Sequence, residues 1–178
     1  RMRITSAGNV CIGGTTDDGY STLLNIEGAG GTDDVPGILF KNTSASNDEN
    51  IMQLLATQGT DSVASINAVR ESAADDAYLN FMTQATGGGL TERMRITSAG
   101  NVGIGAVPKV WNSGYDSLQI GKSGTMSSYS GADVDRMWVS ANAYLHTDGT
   151  WKRILTDTAS QHEQHSGVHN FYTAVSDS

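Results

Sequence analysis

Histidine and glutamate residues lie close together near the end of the chain, at His162, Glu163 and His165, and His169 follows shortly after. Their order resembles the H-E-x-x-H motif of zinc proteases but is one residue short, and that chemistry needs both histidines on one face of a helix. In a strand, positions three apart point to opposite faces. The sequence therefore predicts no metal site, and no cofactor is expected.

Adjacent acidic residues at positions 17–18, 33–34 and 75–76 are the other candidates for chemistry. A glycosidase needs two carboxylates facing each other across a sugar, a separation that neighbours on a strand rarely provide. These pairs stand mostly beside Gly, Ser or Ala, which is typical of solvated turns. The single cysteine, Cys11, can form no internal disulfide. No Ser/His/Asp or Cys/His set stands out, so the sequence predicts a chain without catalytic residues.

A hairpin rich in aromatic residues is the better candidate for binding. The dipeptide Asp148-Gly149 separates two segments of alternating polarity, which is a strong signal for a β-hairpin. A two-residue turn there would place four candidate receptor-contact side chains on one face: Tyr144, His146, Trp151 and Arg153. Aromatic rings flanked by hydrogen-bond donors can stack on a sugar. Packing between chains uses the same residue types, so both interpretations stay open.

The elements that must position these residues belong to a repeated sequence. The decapeptide RMRITSAGNV occurs at residues 1–10 and, unchanged, at 93–102. We interpret residues 1–14 as the end of an upstream repeat, 15–106 as a complete repeat, and 107–178 as a third repeat that stops before its own decapeptide. Long repeats of this kind are typical of extended, quasi-one-dimensional proteins. The sequence thus predicts an elongated architecture.

The decapeptide has the pattern of a β-hairpin or a tight β-corner with one apolar face. Apolar residues alternate on both sides of a turn signal at residues 98–101, where Gly100 and Asn101 suit a positive φ. Strands that bury one face in a partner chain share a core, so the alternating residues of both copies are predicted to lie in a core between chains. We call them the trimer-core candidates, because the family resemblance given below implies three chains; they are Met2, Ile4, Val10, Ile12, Met94, Ile96, Val102 and Ile104.

Residues beside the apolar positions of the second copy fit the same interpretation. Gly103 and Gly105 alternate with apolar residues, which suggests that neighbouring backbone approaches closely on that side. Arg93 and Arg95 are expected outside the core, or paired with carboxylates such as Glu92.

The segment at residues 46–59 admits two interpretations. Ser46 and Glu49 form a capping box before apolar residues at helical spacing, which indicates a short helix. The residues that follow alternate in polarity, and the surrounding sequence is rich in β patterns. We therefore favour a strand.

Composition limits the class of protein. Only 38% of the 178 residues are hydrophobic and 21 are glycine, so a single globule of this length would have a thin core. Such a chain is expected to bury its apolar faces against copies of itself. The net charge of −8 opposes binding to nucleic acid or to anionic membranes. The apolar runs are too short to span a membrane, so no membrane insertion is expected.

The segment ERMRITSAGNVGIG at residues 92–105 resembles the recurring segment of bacteriophage tail fibre and tailspike proteins. Modules such as SLQIGKSGTM and SANAYLHTDGTWKRI are similar to fibre modules of the same family, so the resemblance covers essentially the whole chain. It implies an all-β, elongated repeat fibre of short strands and hairpins, built as a parallel homotrimer whose chains are intertwined or lie side by side. It also implies an extracellular location in the virion's tail fibre, with other tail or fibre proteins as partners.

Three function classes remain open. The repeats, the β pattern and the resemblance favour a non-enzymatic structural segment that holds, or forms part of, the host-attachment apparatus. A tailspike-like glycan depolymerase, with a carboxylate pair formed between chains, is one alternative. A bacterial surface adhesin is another. A host surface glycan is a candidate partner in each class.

Overall fold

β-Strands are the regular elements of the part of the chain that the structure describes. The computed structural model describes residues 2–4, 10–12, 40–43, 46–73, 75–131 and 135–174. The chain divides into two compact units, Arg1–Phe40 and Lys41–Ser178. No described residue is helical, and the described part accordingly holds no helix long and apolar enough to cross a membrane. The predicted all-β class is confirmed.

In the first unit, strands β1 (Met2–Ile4) and β2 (Val10–Ile12) pair antiparallel, with Met2 opposite Ile12. The two strands of the first copy thus pair antiparallel, as predicted, while the residues between them lie outside the described part. The side chains of these strands, including four trimer-core candidates and Cys11, lie outside the described part.

The second unit is built on a ten-stranded sheet whose strand order follows the order of the chain. Its strands and the hairpin that interrupts them are β3 (Asn50–Gln58), β4 (Asp61–Arg70), β5 (Ala77–Gln84), β6 (Leu90–Ile96), β7 (Val102–Ile104), β8 (Tyr115–Ile120), β9 (Gly124–Tyr129), β10 (Arg136–Ala141), β11 (Ala143–Leu145), β12 (Trp151–Arg153), β13 (Ala159–His165) and β14 (Val168–Ala174). Strands β11 and β12 pair only with each other, so β10 pairs with β13. All neighbours are antiparallel except β7 and β8, which are parallel.

One face of this sheet is apolar and uncovered. Residues directly opposite each other on paired strands share a face, and one row of such partners crosses all ten strands. The row consists of Met52, Ala68, Leu79, Ile96, Val102, Leu118, Met126, Val139, His162 and Phe171. A second row on the same face contains Leu54, Ile66, Phe81, Met94, Ile104 and Ile120. We call these two rows the apolar face; every side chain in it is half-buried or exposed.

The opposite face of the sheet is largely buried and mostly polar, with Val69, Tyr78 and Trp138 as its large buried apolar residues. Its buried polar residues include Ser65, Asn67, Asn80, Ser117, Gln119, Thr125, Ser127, Ser140 and Glu163. Among these groups, Asn67 donates to Asn80 at 2.8 Å, and Asn80 in turn donates to Glu92 at 2.9 Å. Buried polar atoms need such partners. The hairpin β11–β12 packs on this side, where the Thr125 hydroxyl donates to the backbone carbonyl of Ala143 at 2.7 Å.

The second copy of the decapeptide also forms the predicted hairpin, between β6 and β7. The backbone N–H of Thr97 donates to the carbonyl of Asn101 at 2.9 Å, and Gly100 has φ +82°. Asn101 does not share the positive φ predicted for it; its buried side chain instead accepts a hydrogen bond from Ser117 at 2.6 Å. The hydrogen bond between Asn101 and Ser117 therefore joins this turn to β8.

Gly103 and Gly105 play different roles. A Cβ on Gly103 would collide with the carbonyl oxygen of Ala106 and lie 2.7 Å from Cδ of Pro108. Backbone thus approaches closely there, but it belongs to the loop that follows β7 and not to a neighbouring strand or chain, as was predicted. Gly105 has open space around its Cα but φ +68°, so it is required by the turn.

Residues 46–59 form no helix. Strand β3 occupies most of this segment, so the strand interpretation is confirmed. The capping box is a signal from a few neighbouring residues, whereas the conformation of this segment is decided by the pairing of β3 with β4 along its length.

Candidate functional site

The hairpin β11–β12 has a different register from the one predicted. Leu145 lies opposite Trp151, and the N–H of His146 donates to the carbonyl of Thr150 at 2.9 Å. The connection is therefore a three-residue loop, and Gly149 has φ +81° within it. A left-handed glycine after a type I turn is common in loops of this length. The predicted two-residue turn is wrong.

This register separates the four candidate receptor-contact residues. Tyr144 lies opposite Lys152, on the same face as His146, because alternate residues of a strand share a face. Trp151 and Arg153 lie on the other face. The structure thus divides the predicted surface into two pairs that point in opposite directions.

Trp151 belongs to a continuous series of aromatic rings. Its ring centroid lies 5.5 Å from that of Trp138 and 6.4 Å from that of Trp111, both of which are buried. Trp138 also contacts Tyr115, and Trp111 contacts Tyr144. Each aromatic pair contributes roughly 0.5–1.5 kcal/mol beyond burial of area. Trp111 and Trp138 could not be recognised from the sequence as part of this group, because they lie outside the hairpin and are brought to it only by the fold.

A small ionic cluster surrounds the tip of the hairpin. The Asp148 carboxylate lies 2.6 Å from Nζ of Lys152 and 3.1 Å from Nδ1 of His146. It also accepts the backbone N–H of Thr150 at 2.9 Å. Hydrogen bonds from Lys152 first, and then from Thr150, hold the pKa of Asp148 well below its usual range. Asp148 and Lys152 therefore largely neutralise each other at this exposed tip.

A cleft of about 770 Å³ lies between the hairpin and the last two strands of the sheet. Its lining consists of Ala143, Trp151, Lys152, Arg153, Ile154, Leu155, Thr156, Ala159, Ser160, Gln161, Tyr172 and Thr173. Two aromatic side chains in this lining are partly open to solvent, Trp151 at 37% and Tyr172 at 48%. The lining includes two basic side chains and no acidic one.

The buried residue Glu163 contacts Tyr172, which lines the cleft. Its carboxylate accepts hydrogen bonds from the Tyr172 hydroxyl at 2.7 Å and from the Asn170 amide at 3.2 Å, and it forms an ion pair with Arg136. The Tyr172 hydrogen bond is the main cause of a lowered pKa at Glu163. This acidic residue therefore holds the Tyr172 ring in place.

The two histidines of the H-E-x-H segment, His162 and His165, do not lie together. His162 belongs to the apolar face, whereas His165 lies on the opposite face near Arg136, so the predicted separation is confirmed. The ring of His162 stacks on Phe171 at 4.6 Å, and its Nε2 lies 2.9 Å from Nδ1 of His169. Within the residues that the structure describes, no three His, Cys, Asp or Glu side chains are grouped so as to hold a metal ion.

The described acidic pair at residues 75–76 stabilises a turn. Asp76 accepts backbone N–H groups of Ser72 at 2.9 Å and Ala73 at 2.7 Å. Hydrogen bonds, that of the Ser72 hydroxyl first, lower the pKa of Asp76 to about 2. The pairs at 17–18 and 33–34 lie outside the described residues.

The trimer-core candidates of the second decapeptide share one face. Met94 lies opposite Ile104, and Ile96 opposite Val102. Beside them, Arg95 forms the expected ion pair with a carboxylate, that of Glu92, at 2.8 Å. Whether the four apolar side chains meet copies of themselves stays a prediction.

Comparisons with known proteins add no assignment to this geometry. A scan against protein-family models found no match, and a search of curated proteins found none. The two features that carry functional information are therefore the apolar face and the cleft on the other side of the sheet.

Proposed function

We propose that the chain is a structural segment of a bacteriophage tail fibre, in which three parallel copies pack their apolar faces around a common axis. The segment carries out no chemistry and holds, or forms part of, the host-attachment apparatus of the virion. Other tail or fibre proteins continue the fibre. The observation that carries this proposal is the row of partners, from Met52 to Phe171, that crosses the whole sheet without being buried.

An uncovered apolar surface of this extent favours association. Ten strands spaced about 4.8 Å apart give the row a length of roughly 43 Å. Val139, on the third strand from the β14 edge, is 43% exposed, and Phe171 at that edge is 78% exposed. Full burial of a large aliphatic or aromatic side chain contributes roughly 1.5–3 kcal/mol. Contiguous exposed apolar patches of this kind usually mark interfaces.

The direction of the sheet suits a fibre. Because strand order follows chain order, a longer chain extends the sheet along its hydrogen-bonding direction. The decapeptide occurs at residues 1–10 and 93–102, and it contributes a pair of antiparallel strands to each of the two compact units. Three copies, as the resemblance of residues 92–105 to phage fibre repeats implies, would each turn an apolar face to the axis and a polar surface to water.

Light scattering of the purified chain tests the assembly directly. We expect a stable particle with three times the mass of one chain. A stable, compact monomer would contradict the proposal.

Location and inactivity need separate measurements. Antibodies against the chain should label the tail fibres of phage particles in electron micrographs; labelling of a bacterial surface would support an adhesin instead. Incubation with host polysaccharide should release no new reducing ends. Their release would favour a depolymerase with a site between chains.

A further inference from the structure

We propose that the outer edge of β14 binds β1 of a second copy of the chain, so that strand pairing joins one copy to the next. The proposed function joins copies through the apolar face and assigns no partner to this edge. The edge contact uses the backbones of the two strands and does not require the packing of apolar faces.

β14 is an edge strand without the usual protection. Among the described residues it pairs with β13 alone, in a register without a bulge, whereas the register of β3 at the other edge shifts at two places. Natural edge strands are commonly blunted by bulges, proline or lysine, and β14 contains neither proline nor lysine. Val168 and Phe171 on this strand are 54% and 78% exposed. The edge of β14 can therefore accept a further strand.

β5 shows which strand such an edge pairs with. The sequence N-F-x-T occurs in β5 at residues 80–83 and in β14 at residues 170–173. In both strands the asparagine lies on the polar face and the phenylalanine on the apolar face. Phe81 lies between β4 and β6 and is half-buried, whereas Phe171, which within the described part has only β13 beside it, is exposed. β14 therefore offers the edge that β6 occupies on β5.

β1 has the sequence and the pairing of β6. Residues 1–10 are identical to residues 93–102, and β1 pairs with β2 in the register in which β6 pairs with β7. β6 uses its other edge to pair with β5, whereas β1 pairs with β2 alone in the described part of the chain. The outer edge of β1 is therefore the counterpart of the edge with which β6 binds β5.

The backbone of β14 directs alternate N–H and C=O groups to its outer edge. Residues 166–167 form the turn between β13 and β14 with φ +49° and +75°, as in a two-residue type I′ hairpin. The residues that flank such a turn, His165 and Val168, bond to each other, so Val168 faces β13. Because the direction alternates along a strand, His169 and Phe171 face outward.

β6 directs complementary residues to β5. The N–H of Thr97 donates across the β6–β7 hairpin at 2.9 Å. By alternation Arg95 also faces β7, while Met94 and Ile96 face β5. The equivalent residues of β1, at the same register against β2, are Met2 and Ile4.

The residue types of the two edges match in this register. Met94 lies opposite Phe81, and Ile96 lies opposite Leu79. A methionine thioether packs favourably on an aromatic ring, and cross-strand pairs of this kind stabilise a sheet. The corresponding pairs between copies are Met2 with Phe171 and Ile4 with His169.

The contact is short, because β1 has three residues. Strand pairing of this length buries less apolar surface than the packing of whole sheet faces and is therefore weaker. A dilute sample should keep the mass that the apolar contact gives it, and larger particles should form as the protein concentration rises.

Fluorescence anisotropy of a labelled peptide tests the edge. The peptide LTERMRITSAGNVGIG copies residues 90–105 and so contains the sequences of β6 and β7. We expect it to bind the full chain. N-methylation of its methionine removes the N–H that faces β14 and should weaken binding at least roughly tenfold. N-methylation of the arginine that follows, whose N–H faces away, is the matched control and should leave binding unchanged.

His169→Pro assigns the binding to β14. It removes an outward N–H, and proline is tolerated there because no hydrogen bond to β13 is lost. The peptide should bind this variant at least roughly tenfold more weakly. Lys122→Asp, in the turn after β8, is the control and should bind as the unmodified chain does. Circular dichroism checks that each variant is folded, and if His169→Pro unfolds, the two methylated peptides decide alone.

Light scattering over a range of protein concentrations tests the second copy as the occupant. Particles larger than those of the dilute sample should appear as the concentration rises. An excess of the unmodified peptide should restore the mass of the dilute sample, because the peptide occupies the edge. The peptide methylated at its methionine should not.

Three results would overturn the inference: no binding of the peptide, equal binding of the two methylated peptides, or no growth of the particles with concentration. Peptide binding without growth would assign the edge to a strand of another protein and exclude the second copy. The mass of the dilute sample reports the proposed trimer separately. A monomer that binds the peptide and grows would contradict the trimer while supporting the edge contact, and a trimer that does neither would do the reverse.

Discussion

A buried carboxylate on a strand needs several partners, and Glu163 has three: Tyr172, Asn170 and Arg136. This arrangement ties β10, β13 and β14 together on the polar face of the sheet. Taking a charge out of water is costly unless hydrogen bonds compensate. In the sequence, Glu163 resembles the glutamate of a protease motif. In the fold, it is a structural residue beside the cleft.

Glu163→Gln should lower the free energy of unfolding by about 1–3 kcal/mol, because the amide keeps the shape but loses the charge that its partners stabilise. Chemical denaturation at pH 7 measures this loss. Gln164→Ala, at the exposed next position of β13, is the control and should change little. A variant as stable as the unmodified chain would show that the ion pair contributes nothing net.

The same residue predicts a dependence on pH. The pKa of Glu163 is lower in the folded chain than in the unfolded one, so its contribution is complete above the unfolded pKa of about 4.3 and is lost as the pH falls. The stability difference between the unmodified chain and Glu163→Gln should therefore shrink below about pH 4. Denaturation curves between pH 7 and 3 measure it, and an undiminished difference at pH 3 would contradict this account.

At the scale of elements, two hairpins show what local sequence can decide. The decapeptide hairpin was predictable because alternation and a glycine turn point to the same structure. In hairpin β11–β12, the Asp-Gly dipeptide indicated the hairpin but not its register. A two-residue turn of type I′, which Asp-Gly favours, needs positive φ at both positions, and a type II′ turn needs it at the first; Gly149 has positive φ and Asp148 does not. The Asp148 side chain instead accepts the N–H of Thr150, which stabilises the longer loop.

The cleft could not be predicted in the same way. Trp151 and Arg153 were recognised as candidates, but Tyr172 and Gln161 come from strands beyond the hairpin and meet it only through the pairing of β10 with β13. No spacing of residues in the sequence indicates that these side chains lie together. The one-residue difference in register also means that Tyr144 and Trp151 lie on opposite faces and not on one face, because such a shift turns the side chains of one strand to the other side.

Gly103→Ala should destabilise the β6–β7 region by about 1–3 kcal/mol, because the added methyl group would displace the backbone at Ala106 and the ring of Pro108. Thermal or chemical denaturation measures the change. Gly89→Ala is a matched control, since open space surrounds that Cα and its φ is not positive. Equal stability of the two variants would mean that the loop moves aside freely.

At the scale of the whole molecule, one face of the sheet buries mostly polar side chains, together with Val69, Tyr78 and Trp138, while the apolar side chains of the other face are uncovered. The low apolar content of the sequence predicts that one chain needs copies of itself, and this stays a prediction. The position of the apolar face could not be predicted, because it depends on the register of all ten strands, including the parallel pair β7 and β8.

Ile96→Asp should abolish assembly, because it places a carboxylate among apolar side chains at a cost of several kcal/mol. Since Ile96 is half-buried within the chain, Phe171→Asp provides a second variant that is less apt to disturb the fold of one chain. Lys122→Asp, in the exposed turn after β8, changes the charge away from the apolar face and is the control. Light scattering measures the mass; a trimer formed by both test variants would place the interface elsewhere.

Strand order that follows chain order also bears on how the protein is made. Each strand of the sheet can pair with its predecessor as soon as it leaves the ribosome, and only the pairing of β10 with β13 must wait for the residues of a hairpin between them. Contacts between residues that are close in the sequence form at a small entropic cost, which favours fast folding. The growing edge is always the strand made last, so synthesis from the N-terminus would lengthen the sheet stepwise. Long β proteins built this way avoid searching for distant partners.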